Sequence, residues 1–249
     1  NPLMMTKTVL LTLLAVCISA ISFAQAPLNY AFSQELQGFY TPLENNTIVY
    51  TTSFDDVISP AITIPAFSMG GAQYTTMYIN SNGFISLGSA TGITLYNPLS
   101  STAQTPIISP FGRDLQSVDA TSSISYTIDN SGTHVQWQNV RRYGVNGESF
   151  SFQAHLLPYD SVITFVYGPM NNIATSVGFA QVGLRVGTGA WPEQVANRSV
   201  TIDQTWFPSA AGTSNQANCA FSSTVQPFNG LTYVWGSSNI GAGGCTDVM

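Results

Sequence analysis

Twelve carboxylates, five arginines, one lysine, two histidines and three cysteines are the side chains with which this 249-residue chain could do acid–base, nucleophilic or metal chemistry. A hydrolase needs a nucleophile beside a base, or two carboxylates at a workable separation. His134 and His155 both fall on outward positions of predicted strands, with no Ser or Cys motif beside them and no Gly-x-Ser-x-Gly anywhere. They read as solvent-facing histidines, and the set is too small and too scattered for a zinc site. No catalytic residue is assigned. A glycan hydrolase would need two of Glu148, Glu193 and Asp114 to face one cleft, which makes it the least favoured of three functional readings.

Four other groupings stand out. Arg113-Asp114 and Arg141-Arg142 lie inside strand regions of a chain poor in arginine, and read as fixed Arg–carboxylate pairs that hold a loop, with a ligand clamp as the alternative. Asp55, Asp56, Asp119 and Glu148 could supply calcium oxygens, although no loop carries a spaced Asp/Asn ladder; calcium is the one cofactor considered. Tyr143, Trp191 and Trp206 fall in predicted loops, where flat rings either stack on sugars or plug the core. Cys219 and Cys245 could pair in an oxidising compartment, or each could await a partner further along the chain.

The elements that would position these groups are β-strands. Residues 133–140 and 149–156 alternate with a period of two, placing Val135 and Trp137, then Phe150, Phe152, Ala154 and Leu156, on a buried face, with His134, Gln136 and Gln138 outward. Residues 162–168 are almost wholly apolar, as in a strand covered on both faces. These three form an antiparallel meander. Before it, strands are expected at 30–34, 39–41, 47–52, 61–64 (stopped by Pro65), 74–80 and 84–88, the last two joined by a tight turn at Asn82-Gly83. A loop over 89–106, an apolar run at 107–115 and a strand at 124–128 follow. After the meander come a strand at 182–186, a long loop over 187–198 and a last strand at 231–235. Short strands at spacings near ten residues, with no helical periodicity, indicate an all-β fold: an antiparallel, jelly-roll-like β-sandwich.

Composition supports an exported protein. Only 7% of residues are charged while 44% are hydrophobic and regularly patterned, which excludes disorder. The single lysine, Lys7, precedes an apolar run that ends in Ser22-Phe23-Ala24, so residues 1–24 read as a signal peptide that starts at Met4 or Met5, with residues 1–3 or 1–4 upstream of its start. The remaining chain is acidic without a basic patch, which argues against nucleic acid and anionic membranes, and it has no second stretch able to span a bilayer. Residues 25–236 read as one sandwich domain, and 237–249 as a linker and the start of a further repeat.

The motifs Ser81-Asn82-Gly83-Phe84-Ile85-Ser86-Leu87-Gly88, Gly112-Arg113-Asp114-Leu115-Gln116, the run from Val135-Gln136-Trp137 to Arg142-Tyr143-Gly144, Val182-Gly183-Leu184-Arg185 and Gly230-Leu231-Thr232-Tyr233-Val234-Trp235 occur in order. Together they resemble the N-terminal β-sandwich module of secreted Bacteroidota proteins that carry a type IX sorting tail, and Gly244-Cys245-Thr246-Asp247 resembles the opening of a Cys-rich repeat. The resemblance implies a non-catalytic, extracellular or cell-surface module, the front part of a larger protein. Its partner would be an extracellular glycan, a surface protein or another copy of itself. Adhesion or recognition is the first reading, and a carbohydrate-binding module attached to an enzyme is the second.

Overall fold

The computed structural model describes residues 30–36, 38–101, 105–187 and 194–237. Trp191, Glu193, Cys245 and the expected signal peptide lie outside the described residues. Among the described residues sixteen strands follow one another without a helix: β1 (Tyr30–Glu35), β2 (Thr47–Thr51), β3 (Ile62–Met69), β4 (Ala72–Asn80), β5 (Phe84–Leu87), β6 (Ile107–Gly112), β7 (Leu115–Ser117), β8 (Ser123–Ile128), β9 (Thr133–Arg142), β10 (Ser149–Leu157), β11 (Val162–Asn171), β12 (Gly178–Arg185), β13 (Val195–Ser199), β14 (Ala210–Ala211), β15 (Cys219–Phe221) and β16 (Thr232–Ser237). They form two eight-stranded antiparallel sheets. The first runs β1-β16-β11-β10-β9-β8-β2 with β7 on β9; the second runs β14-β13-β12-β6-β5-β4-β3 with β15 on β12. The molecule is the all-β sandwich expected.

The two sheets are joined by the side chains that alternate inward. Val135, Trp137, Phe150, Phe152, Ala154 and Leu156 are buried as the period-two pattern requires. Phe111 of the second sheet lies 4.9 Å from Phe150 and 5.4 Å from Phe152 of the first, and Trp137 stacks on Phe152 at 5.0 Å. Buried polar tips find partners across the layer: Trp137 Nε1 donates to Asn80 O at 2.9 Å, and the Tyr167 hydroxyl to Pro110 O at 3.0 Å.

Several local expectations are corrected. Residues 39–41 are not a strand. They belong to an irregular segment, residues 38–46, that lies on the outer face of the first sheet: the Tyr40 hydroxyl and the Leu43 N–H both donate to Gln136 Oε1, at 3.1 and 3.0 Å. That cover is why Gln136 is buried although it points away from the core. Pro65 does not stop β3, because the β3–β4 register shifts between Thr63 and Phe67 and the proline sits in that irregularity, where no ladder N–H is needed. The loop expected over 187–198 gives way at Val195 to β13, whose polar Asn197 and Arg198 are buried and so hid the strand from a hydrophobicity pattern.

The Asn82-Gly83 turn connects paired Asn80 and Phe84, and Gly83 has φ +76°. A Cβ there would sit 2.1 Å from Phe111 O, so steric conflict adds to backbone strain. Gly83→Ala is expected to lower unfolding stability by about 2 kcal/mol or more, read by urea denaturation; a loss below about 0.5 kcal/mol would contradict this turn geometry.

Candidate functional site: an acidic rim at one pole

Strand register fixes two poles. Tyr30 pairs with Ser237, Ile163 with Trp235, Leu157 with Val162 and Leu156 with Thr133, so the first and last described strands share one pole with the 129–132 and 158–161 turns. Leu115 pairs with Arg142 at the other end of β9, about 30 Å away at strand rise.

At that far pole three carboxylates converge. Asp55, Asp56 and Asp114 each bring an oxygen to within 4.8 Å of the others. An isolated bridge between Asp55 and Gln116 sets the 55–56 segment against β7, next to Asp114. Asn82, fully buried, ties the parts together: its Oδ1 accepts the Leu115 N–H at 3.0 Å, its carbonyl accepts the Arg113 N–H at 3.1 Å, and its Nδ2 donates to Asp56 Oδ1 at 3.0 Å and Ile93 O at 2.9 Å. The Tyr96 hydroxyl donates to Asp56 Oδ2 at 2.9 Å. Asp56 has φ +43°, a left-handed conformation that Asp tolerates better than most residues.

The electrostatics of this cluster are unfavourable. Asp114 is pushed up to about 6, first by burial and then by the charges of Asp56 and Asp55, with Arg113 opposing. Its Oδ1 is buried without a hydrogen-bond partner. Asp55 is also raised, by burial and by Asp56. Three convergent hard oxygens, on residues that include Asp114 with its unsatisfied Oδ1, suit an oxygen-seeking divalent cation better than they suit one another.

Exposed side chains occur on segments bonded to Arg113 and Asp114. The Tyr143 N–H donates to Asp114 O at 3.1 Å, and Arg113 Nη1 donates to Phe179 O at 2.8 Å. Tyr143, Val177 and Phe179 are all exposed, at 57%, 47% and 46%.

The other expected site residues lie elsewhere. Arg113 and Asp114 form no close ion pair. Arg142 instead pairs with Glu148, through Nε to Oε1 at 2.8 Å and Nη2 to Oε2 at 2.6 Å, with both side chains almost fully buried. Both Glu148 oxygens are thereby engaged, and Oε2 also accepts the Ala174 N–H, so this carboxylate holds a scaffold and does not face the triad as a ligand. Burial pushes Glu148 up, but the Arg142 side chain and the Ala174 and Arg142 N–H groups outweigh it and hold the acid below its ordinary range. Arg141 donates to Ser117 O at 3.2 Å and to the Asn146 side chain. Asp119 stands apart, exposed, capping its own turn through Thr121. Trp206 is a core residue, 1% exposed. Cys219 is buried and unpaired among the described residues, and burial pushes its thiol up. The triad itself was half legible: Asp55-Asp56 is adjacent in sequence, but only folding delivers Asp114.

A family model described as NIDO-related matches residues 29–237. The chain belongs to the NIDO-related family. NIDO is an extracellular domain, and NIDO-related domains are usually non-enzymatic. The match takes in both sheets and the acidic rim, so the NIDO-related domain and the described sandwich are the same unit. No curated protein and no solved structure matches the chain. No helix among the described residues is long and apolar enough to cross a membrane.

Proposed function

We propose that this NIDO-related domain is a non-catalytic module for adhesion or recognition in an exported protein, and that it meets its partner with the far pole. One observation carries the reading: three carboxylates within 4.8 Å of one another, with exposed Tyr143 bonded through its backbone to Asp114, at the end of the sandwich opposite the start of β1 and the end of β16. A chain that enters and leaves at one pole offers the other to the surroundings. The partner in this reading is a surface protein, and the export route is the signal peptide at residues 1–24. A larger protein with a type IX sorting tail remains part of the proposal.

Carbohydrate binding is the second reading, and Tyr143 favours it, since an exposed ring beside carboxylates offers both a stacking face and hydroxyl acceptors. Binding of the labelled domain to cell surfaces and to a glycan array separates the two. In either case Asp55→Asn, at the exposed member of the triad, with Tyr143→Ala is expected to weaken binding at least tenfold while leaving the unfolding midpoint nearly unchanged. Full binding by the double variant contradicts the assignment of the pole.

Calcium belongs to the same proposal, with Asp55, Asp56 and Asp114 as ligands. Calcium chloride at a hundred times its Kd should raise Tm by about 5 °C or more at pH 7.5. Asp114→Asn should abolish the rise. The rise should also shrink below pH 6, where Asp114 takes up a proton and the cluster loses charge. No rise at millimolar calcium contradicts the metal part of the proposal and leaves the rim's binding role to the array.

A further inference from the structure

We propose that residues 38–46 are an acid-releasable strap, held on the outer face of the first sheet by a hydrogen-bond network that ends on the His134–His155 pair and loosened when His155 takes a proton. The proposal is independent of the far-pole reading, because the strap and the imidazoles lie on another face, near the pole of the chain ends.

The network can be followed atom by atom. His155 Nε2 lies 3.0 Å from Gln153 Oε1. Gln153 Nε2 then donates to Thr41 O and to Gln136 Oε1, both at 2.8 Å, which fixes the amide so that its oxygen faces the imidazole and the ring nitrogen is the donor. Gln136 Oε1 also receives the Tyr40 hydroxyl and the Leu43 N–H. The Tyr40 ring lies on Gly168, where a Cβ would approach it to 2.8 Å. Two cross-strand rows lie side by side under the strap: Ser125, Gln136, Gln153 and Val166 in one, and Thr127, His134, His155 and Thr164 in the other. The strap binds the first row and reaches the second, where Thr127 Oγ1 donates to Glu44 O. It therefore flanks both imidazoles.

The two rings meet edge to face, with centroids 4.6 Å apart. The charged group facing them is Asp129, whose Oδ1 is 3.3 Å from His134 Nε2; on the strap, the Tyr40 hydroxyl is engaged by Gln136, and Glu44 reaches Thr127 through its backbone carbonyl. Asp129 is held well below the usual carboxylate range, first by the Ser131 hydroxyl and N–H, so it stays ionised. A proton on His155 would stand in a mostly buried place beside a second imidazole. Burial first, and His134 second, hold His155 down at about 4. An imidazole that is neutral when folded and takes a proton near 6.5 when freed contributes stability that is full above pH 6.5 and lost as pH falls toward 4. Lifting the strap lets water reach the ring, so opening is the local response to acid.

Hydrogen exchange read by mass spectrometry, corrected for intrinsic rates, tests this on the intact domain. Between pH 7.5 and 4.5, protection across residues 38–46 should fall tenfold or more. In His155→Gln, whose amide can still donate to Gln153, the fall should be less than twofold. Protection at Trp137 and Phe152 should hold in both proteins. A strap equally protected at both pH values overturns the proposal. So does an equal loss in the variant, or a loss spread evenly over the core, which is global acid unfolding. Should His155→Gln not fold, NMR of the native domain decides: the imidazole of His155 and the strap amides must titrate with one midpoint, and separate midpoints overturn the coupling.

Discussion

Replacing Arg142 with methionine should cost the domain about 3–5 kcal/mol of unfolding stability, most of it as the penalty for leaving Glu148 charged and alone in the interior. Arg142 is 1% exposed and Glu148 is not exposed at all. Besides its two bonds to Glu148, the guanidinium donates through Nη1 to Ser176 O at 2.8 Å and Phe221 O at 3.3 Å, and lies 5.3 Å over the Phe221 ring. It thus ties the end of β9, the 172–177 connection and β15 into one piece. Gly178 fits against it so closely that a Cβ would come within 2.7 Å of Nη1. Removing both charges together, as Arg142→Met with Glu148→Leu, should recover much of the loss, because a matched apolar pair carries no desolvation penalty. Glu148 is depressed, so its contribution is present above the ordinary carboxylate range and lost as pH falls through its folded value. Urea denaturation of the single and double variants checks this; a single-variant cost below about 1 kcal/mol would show the pair to be ornamental.

Trp206→Ala should cost a similar amount, about 3–5 kcal/mol, by opening a cavity between the sheets. The indole stacks parallel to Phe111 at 5.9 Å and meets Tyr167 edge-on at 5.1 Å. Its Nε1 donates to Ala220 O at 2.9 Å, while its carbonyl accepts the Tyr233 hydroxyl at 2.5 Å. A sugar-stacking platform would show the reverse pattern, with glycan binding lost and stability kept. The expected result is a large drop in Tm, and any binding change should scale with the fraction unfolded.

The central meander was legible because its side chains obey one rule: Val135, Trp137, Phe150, Phe152, Ala154 and Leu156 alternate without exception and all reach the core. The same rule misjudged Gln136 and Gln153, which point outward yet are buried, because a pattern within a strand carries no trace of a remote segment lying over it. β13 and β15 escaped notice for a different reason. They are short, and Asn197 and Arg198 are polar residues made internal by specific partners, Ser214 O for one and Ser209 for the other. Of the candidate site, Asp55-Asp56 was visible as a pair and Tyr143 as a loop aromatic. Asp114 was read with its neighbour Arg113, but the geometry turns it toward the other two acids. Glu148 could have been assigned to Arg142 from sequence: the two are the ends of the short β9–β10 connection, where a buried cation needs an anion close by.

In the proposed reading Glu148 is scaffold while Asp55, Asp56 and Asp114 serve binding, and side-chain carboxyl NMR across pH tests that division most directly. Asp114 should titrate near 6 and move lower when calcium chloride is added, while Glu148 should titrate below the ordinary carboxylate range. An Asp114 that titrates near 4 and ignores calcium, together with a Glu148 that takes its proton in the ordinary range in the folded domain, would contradict it.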